Sequence, residues 1–125
     1  MNYRYTKSHE YVLVNKNIAT IGITEFAQEQ LGEIVFVSLP DIGAEIDMED
    51  EIGEIESIKA TSELYAPVSG TVIKVNDAVI KNPQLINDDT EHDGWLIKVK
   101  MSDPEELDEL FKQDKYIEYC EEEET

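Results

Sequence analysis

The sequence GEIESIKATSELYAPVSG, residues 53–70, places one lysine midway between two runs of strand-forming residues. Isoleucine, threonine and tyrosine favour strands, and a proline and a glycine close the second run. Ile58 and Ala60 flank Lys59 at the point where a turn usually takes Gly, Asn or Asp. We therefore predict a β-hairpin that holds the amine of Lys59 at its tip, where a modifying enzyme can reach it.

The isoleucines of this stretch give two conflicting signals. Ile52, Ile55 and Ile58 are spaced by three residues, which fits a helix better than a strand. Gly53 lies within the run, however, and isoleucine itself prefers strands. We therefore predict a strand, which also fits the proline and glycine that end the second run.

The chain of 125 residues has the length of one domain, so we predict a single domain over residues 1–125 with a frayed acidic tail at about 121–125. Ten basic residues stand against 29 acidic ones, for a formal net charge of −19. Nucleic acid and anionic membranes would repel such a chain. The charge fits either simple solubility or docking to partners with basic surfaces.

The sequence carries no sign of a membrane segment or a leader. Its longest purely apolar runs, such as residues 34–37, are far shorter than a membrane span, and the N-terminus lacks an apolar signal core. The lone Cys120 cannot form an internal disulfide, which fits a reducing compartment. We expect a cytoplasmic protein, or one that has already been processed.

Short β-prone segments separated by turn residues recur along the chain. Strands are predicted over residues 11–14, 18–23, 34–39, 71–75 and 95–100, and connections over 76–83 and 87–94. This pattern indicates an all-β sandwich or barrel with peripheral helices.

Helix signals lie in the first half of the chain and at its end. A short helix is predicted over 24–32, with Thr24 as cap, Gly32 as left-handed stop and an inward stripe of Phe26, Ala27, Gln30 and Leu31. Asp103 and Pro104 start a second helix, whose inward residues are Leu107, Leu110 and Phe111. A third is predicted over 114–120, with Tyr116, Ile117 and Cys120 facing inward.

The sequence lacks the usual marks of an enzyme. It has no glycine-rich phosphate loop and no nucleophile motif, and its only histidines are His9 and His92. The acidic loop at 88–93 lacks the ligand spacing of a calcium site, so no metal site is predicted. Lys59 is the remaining candidate for chemistry.

The residues around Lys59 resemble the lipoyl-attachment motif of the glycine cleavage system H protein family. The matching segments are ESIKA (56–60), LYAPVSG (64–70), KSHEYV (7–12), IGITEFAQ (21–28), LGEIVFV (31–37), GWLI (94–97) and SDPEEL (102–107). They run collinearly over about residues 5–119, which is more specific than the lysine motif that lipoyl and biotinyl domains share. Tyr11 stands where the family usually has tryptophan, and a biotin carrier would have methionine on both sides of the lysine.

The resemblance implies a lipoyl-like barrel-sandwich hybrid with a short helix in its N-terminal half and helices at its C-terminus. It implies lipoate in amide linkage to Lys59 and a non-catalytic carrier. The carrier takes an aminomethyl group from glycine decarboxylase (the P protein) to the tetrahydrofolate-dependent aminomethyltransferase (the T protein). Dihydrolipoyl dehydrogenase (the L protein) and a lipoate-attaching enzyme are the further partners.

By the same resemblance, Ser8, Glu10 and Glu63 are candidates for a pocket that holds the aminomethyl nitrogen. The alternative is that Ser8 and Glu10 only shape the mouth of a strand and that Glu63 only solvates the hairpin tip. Gln30 stands where family members commonly have histidine, and glutamine cannot titrate.

Two other functions remain compatible with the sequence. One is a relay that donates lipoyl or octanoyl groups to 2-oxoacid dehydrogenases. The other is a small acidic binding module whose lysine stays unmodified.

Overall fold

The computed structural model describes residues 2–124, in which nine strands and five helical segments follow one another along the chain. The strands are β1 (Asn2–Tyr5), β2 (Glu10–Asn15), β3 (Ile18–Ile23), β4 (Ile34–Ser38), β5 (Glu45–Ile46), β6 (Glu51–Ser57), β7 (Thr61–Tyr65), β8 (Gly70–Val75) and β9 (Ile97–Met101). The α-helices are α1 (Glu25–Leu31), α2 (Asp77–Lys81), α3 (Gln84–Asp88) and α4 (Gln113–Glu124), and a 3₁₀-helix spans Pro104–Glu109.

The strands form two antiparallel sheets. A six-stranded sheet has the order β1-β2-β3-β9-β8-β5, and a three-stranded sheet has the order β4-β6-β7. The prediction of a β core with peripheral helices is confirmed. Lys59 lies in the turn that connects β6 and β7 of the smaller sheet.

The core consists of two apolar clusters that share neighbours. Val12, Ile21 and Val99 lie in the cluster against the larger sheet. Ile55 and Leu64 lie in the cluster beneath the lysine hairpin. Leu39 and Ile52 contact both, so the hairpin that carries Lys59 rests on a continuous apolar base.

A β-bulge in β6 explains the misleading spacing of the isoleucines. Glu51 pairs with Tyr65 and Gly53 with Leu64, so that Ile52 is an extra residue on its strand. The extra residue reverses the alternation of side chains. Ile52 and Ile55 therefore both pack on the core although they are three residues apart, and the strand prediction is confirmed.

Helix α1 has the predicted boundaries, because its cap and its stop act as expected. The hydroxyl of Thr24 accepts a hydrogen bond from the Ala27 N–H at 3.2 Å, and Gly32 adopts a left-handed φ of 79°. The predicted inward stripe is wrong at one position. Leu31 is buried, whereas Gln30 is exposed, because this part of the helix borders an open groove.

The connections predicted over 76–83 and 87–94 are wrong in part. Helix α2 lies within the first, and helix α3 extends into the start of the second. The side chain of Asn76 caps α2 by accepting from the Ala78 N–H, and Val79 and Ile86 are fully buried. Burial of these two apolar residues offsets the weak helix propensity of such short segments.

The helix predicted from Asp103 is a 3₁₀-helix, and Glu106 in its middle is bonded to another part of the chain. Both oxygens of the Glu106 carboxylate accept hydrogen bonds at 2.7 Å from Ser69, one from its N–H and one from its hydroxyl. Leu107, Leu110 and Phe111 are half-buried, consistent with the expected inward face.

The C-terminal helix is longer than predicted. Helix α4 continues to Glu124, whereas fraying was expected from about residue 121, and Thr125 lies outside the described residues. A hydrogen bond between His9 and Glu123 holds this last turn. Tyr116 is buried as predicted, but Ile117 is 50% exposed and the prediction that it faces inward is wrong.

The bulge glycine gives a test of this packing. A Cβ at Gly53 would collide with the backbone carbonyl oxygen of Ser38, so we expect Gly53→Ala to destabilise the protein by about 2–4 kcal/mol. Urea unfolding measures the change. Gly43→Ala is the control, because Gly43 has open space around it and only its left-handed φ of 92° opposes the substitution, at a cost of about 1–2 kcal/mol. Equal losses in the two variants would contradict the close approach at Gly53.

Candidate functional site

Lys59 lies exposed at the tip of the β6–β7 hairpin, as predicted, and a serine closes the turn. The hydroxyl of Ser57 accepts from the N–H groups of Lys59 and Ala60, at 3.3 and 3.1 Å, and donates to the Ala60 carbonyl at 3.2 Å. The left-handed non-glycine residues among those described lie elsewhere in the chain. The serine therefore explains how the tip turns without Gly, Asn or Asp.

The base of the lysine is held against the end of α1. The N–H of Ile58 donates to the Glu33 carbonyl at 3.0 Å. A Cβ at Gly32 would lie 3.4 Å from Cε of Lys59, so the side chain of the lysine passes directly over this glycine. The tip is thus fixed at its backbone on two sides while the amine is open to solvent.

A cleft of about 490 Å³ lies between the start of β2 and the end of β7, and we call it the Glu10 cleft. Its walls come from the turn before β2, from the end of β7 and from the residues after the 3₁₀-helix. The lining residues are Tyr5, Thr6, Lys7, Ser8, Glu10, Met48, Glu49, Tyr65, Ala66, Pro67, Glu109, Leu110 and Phe111.

Glu10 is the buried acidic group of this cleft, with 1% of its surface exposed. Its Oε1 accepts hydrogen bonds at 2.6 Å from the hydroxyls of Thr6 and Ser8, and its Oε2 accepts from the Tyr65 N–H at 3.2 Å. Burial raises the pKa of the carboxyl above its ordinary value, and these hydrogen bonds oppose the rise. Among residues 2–124, no cationic side chain forms an ion pair with it. The cleft therefore presents a buried carboxyl group that has three hydrogen-bond donors and no ion-pair partner among residues 2–124.

A second groove, of about 560 Å³, runs from the lysine towards this cleft, and we call it the tip groove. It is lined by Ser8, His9, Phe26, Ala27, Gln30, Leu31, Ala60, Ser62 and Glu123. Ala60 adjoins Lys59 at one end, and Ser8 lines both the groove and the Glu10 cleft. The two cavities therefore share Ser8, whose hydroxyl donates to Oε1 of Glu10.

The predicted pocket residues are only partly brought together. Ser8 and Glu10 are in direct contact, whereas Glu63 is exposed on β7 and lines neither cavity. Side chains alternate along a strand, and it is Ser62, the neighbour of Glu63, that lines the tip groove. This alternation argues for the solvated alternative at Glu63, whose role stays a prediction.

Two contributors to the cleft were missed at the level of sequence. Thr6 donates to Glu10 from four residues away, and the backbone of Tyr65 reaches it from the other sheet. A threonine two residues before Ser8 is a weak signal for the first. No local pattern predicts the second, because it depends on how the two sheets pack.

The raised pKa of Glu10 predicts a pH-dependent cost to stability. When the folded pKa of an acid lies above its value of about 4.5 in the unfolded chain, folding favours the protonated form. The stability of the wild type relative to Glu10→Gln should therefore fall as the pH rises from about 4.5 through the raised pKa. Urea unfolding of both proteins over a pH series measures this difference. A difference that instead grew in favour of the wild type with rising pH would mean that the carboxylate is stabilised in the fold.

Other kinds of site find no support in the described part of the chain. No group of three or more His, Cys, Asp or Glu residues there is arranged to hold a metal ion. Nor does any described helix have the length and apolar character needed to cross a membrane.

Comparison with known proteins gives one consistent result. The sequence profile of the family described as Glycine cleavage H-protein matches residues 3–123. The chain is 52% identical over 120 residues to the Glycine cleavage system H protein of Carboxydothermus hydrogenoformans, covering 96% of this chain and 92% of the relative. It is 50% identical over 122 residues to the mitochondrial Glycine cleavage system H protein of Oryza sativa subsp. indica, covering 98% of this chain and 74% of the relative.

The fold agrees with a solved structure of the same description. The crystal structure of a glycine cleavage system H protein from Mycobacterium marinum superposes with a TM-score of 0.85 at 32% identity. The match covers 98% of this chain and 97% of the other. The predicted fold class, a barrel-sandwich hybrid with peripheral helices, is confirmed.

Proposed function

The chain belongs to the glycine cleavage H-protein family, and on that basis we propose that it is the lipoyl-bearing carrier of a glycine cleavage system. It would move an aminomethyl group, the cargo, from glycine decarboxylase to the tetrahydrofolate-dependent aminomethyltransferase. The observation that carries this proposal is the exposed Lys59 next to the tip groove, which shares Ser8 with the cleft of the buried Glu10.

Lys59 is the proposed attachment site for lipoate. Acylation removes the charge of a lysine, and this costs the fold little where the amine has no ionic partner. Among the described residues, none forms an ion pair with Lys59. The closed turn around Ser57 offers the amine to an enzyme without unfolding of the hairpin.

A lipoyl group bound to Lys59 supplies a disulfide that accepts the aminomethyl group and a dithiol that is later reoxidised. The chain's own contribution is to shelter that cargo from water. Phe26, Ala27 and Leu31 give the tip groove an apolar wall on the side of α1. Such a wall excludes water from the aminomethyl carbon, which hydrolysis would otherwise release from the sulfur as formaldehyde together with ammonia.

Glu10 and Ser8 are proposed to hold the ammonium of the cargo. The carboxylate of Glu10 already has three donors, but it lacks a cationic partner within the described chain. An ammonium would compensate the buried charge and form a charge-assisted hydrogen bond. The Ser8 hydroxyl, which lines both cavities, can accept a further hydrogen bond from the same nitrogen.

The remaining partners follow from the same proposal. Dihydrolipoyl dehydrogenase would reoxidise the dithiol, and a lipoate-attaching enzyme would modify Lys59, so that the chain itself is a carrier without catalytic activity. The net charge of −19 suits encounters with basic protein surfaces and disfavours nucleic acid and anionic membranes.

Reconstitution tests the proposal. The lipoylated chain, mixed with the decarboxylase and aminomethyltransferase of a glycine cleavage system and tetrahydrofolate, should support release of carbon dioxide from glycine, and the unmodified chain should not. Failure of the lipoylated chain to stimulate this release would contradict the proposal. Transfer of its lipoyl group to a 2-oxoacid dehydrogenase domain, without such stimulation, would favour the relay function instead.

A further inference from the structure

A histidine that the proposed function leaves without a role lies between the two cleft residues Ser8 and Glu10. His9 adopts a left-handed φ of 69°. Its Nδ1 lies 2.8 Å from the hydroxyl of Tyr116, and its Nε2 lies 2.8 Å from Oε2 of Glu123. Both partners belong to helix α4, more than a hundred residues further along the chain.

Helix α4 holds the same turn at two further points. The hydroxyl of Tyr119 donates to the Lys7 carbonyl at 2.9 Å. The hydroxyl of Tyr116 also lies 2.6 Å from that of Thr24, whose N–H donates to the His9 carbonyl at 3.0 Å. The terminal helix therefore joins the turn before β2 to the start of α1.

Aromatic contacts fix the imidazole in place. Its ring lies 4.7 Å from Phe26 and 5.6 Å from Tyr119, measured between centroids. Only 15% of the His9 side chain is exposed. Both ring nitrogens therefore have a partner on helix α4, Tyr116 for Nδ1 and Glu123 for Nε2.

The turn from Thr6 to Glu10, which contains His9, positions the hydroxyl groups that bond to the Glu10 carboxyl. The His9 N–H donates to the Thr6 carbonyl at 3.2 Å, and the Glu10 N–H donates to the Thr6 hydroxyl at 2.9 Å. This turn brings the hydroxyls of Thr6 and Ser8 onto the same oxygen of Glu10. A displacement of His9 would move both neighbours of the carboxyl.

We propose that His9 is a positioning residue through which helix α4 fixes the turn from Thr6 to Glu10, and with it Ser8 and Glu10. The consequence for cargo rests on the proposed function, but the positioning itself does not. His9 is not expected to contact the cargo or to exchange protons with it.

Hydrogen exchange in the unmodified chain tests the positioning directly. His9→Gly accepts the left-handed φ without strain and removes both hydrogen bonds to α4. We expect the amide exchange of Glu10 and Tyr65, whose N–H groups form part of the cleft, to quicken roughly tenfold or more. His9→Asn also tolerates this φ and keeps a short polar group facing Tyr116, so it should restore part of the protection.

The Val72 amide serves as the internal reference for these exchange rates, because it bonds to the Ala44 carbonyl in the larger sheet. Its exchange should stay within about twofold of the wild type, since the loss is local. Unchanged exchange at Glu10 and Tyr65, or an equal rise at all three amides, would overturn the proposal.

The rate of cargo loss from the loaded, lipoylated protein gives a second readout. His9→Gly should speed the release of formaldehyde several-fold, and it should add little in a Glu10→Gln background, because it acts through Glu10. Additive effects would overturn the proposed route. An unchanged release rate in the Glu10→Gln variant would show that the proposed cargo cleft is wrong. Faster release in Glu10→Gln together with an unchanged rate in His9→Gly would overturn only the positioning role of His9.

Discussion

Lys59→Arg is expected to abolish lipoylation of the chain. Arginine keeps the positive charge and the approximate length of the side chain, but its guanidinium does not deprotonate in proteins and is no nucleophile for acylation. Intact-mass analysis after co-expression with a lipoate-attaching enzyme measures the effect. The wild type should gain one lipoyl group, and the variant should show no added mass.

Lys81→Arg is the matched control, because Lys81 is also exposed but lies at the end of α2. It should be lipoylated like the wild type. The difference between the two lysines is their setting, since the backbone around Lys59 is closed by Ser57 and tied to Glu33 through Ile58. Lipoylation of the Lys59→Arg protein, or an unmodified wild type, would refute the assigned attachment site.

Glu10→Gln is expected to speed the loss of the aminomethyl group from the loaded protein. The substitution preserves the shape of the side chain but removes the charge that pairs with the ammonium. A hydrogen bond to a charged group contributes about 1.5–3 kcal/mol, which corresponds to roughly a tenfold to hundredfold faster loss. Formaldehyde release from the loaded protein, followed over time, gives the rate.

Glu109→Gln provides the comparison within the same cleft. Glu109 lines the cavity but is exposed, so water and salt screen its charge, and its loss should change the rate by no more than about twofold. A wild-type rate in Glu10→Gln would show that the buried carboxylate does not retain the cargo. A similar acceleration in both variants would indicate that the overall negative charge of the cleft retains the cargo, and not a specific contact with Glu10.

The exposed position of Lys59 at a hairpin tip and much of the β core were predictable from sequence because their signals are local. Strand propensity, the closing Pro67 and Gly70, and the unusual flanks of Lys59 lie within a few residues of one another. The spacing of Ile52 and Ile55 pointed towards a helix, since the bulge that reconciles it with a strand depends on pairing with β7. Local pattern could thus indicate the hairpin but not its register.

The cleft could be predicted only in part because its contacts join distant segments. Ser8 and Glu10 are two residues apart in the sequence, and the structure brings their side chains into contact. The N–H of Tyr65 and the side chain of Glu123 reach this region across 55 and 114 residues, so no short-range pattern contains them. The short helices α2 and α3 were missed for a related reason, as their stability comes from burying Val79 and Ile86 against other parts of the fold.

The fixed backbone at the hairpin tip has a consequence for how often a tethered group meets the cleft. A flexible loop at this position would spread the far end of the arm through a large volume. The bonds of Ser57 and of Ile58 to Glu33 leave only the side chain and its attachment to move. With lipoate on Lys59, as proposed, the cleft would meet its ligand at an effective concentration on the order of millimolar, set by the length of the arm and independent of the protein concentration. Retention of the cargo would then be an intramolecular equilibrium, for which a pocket of modest affinity is enough.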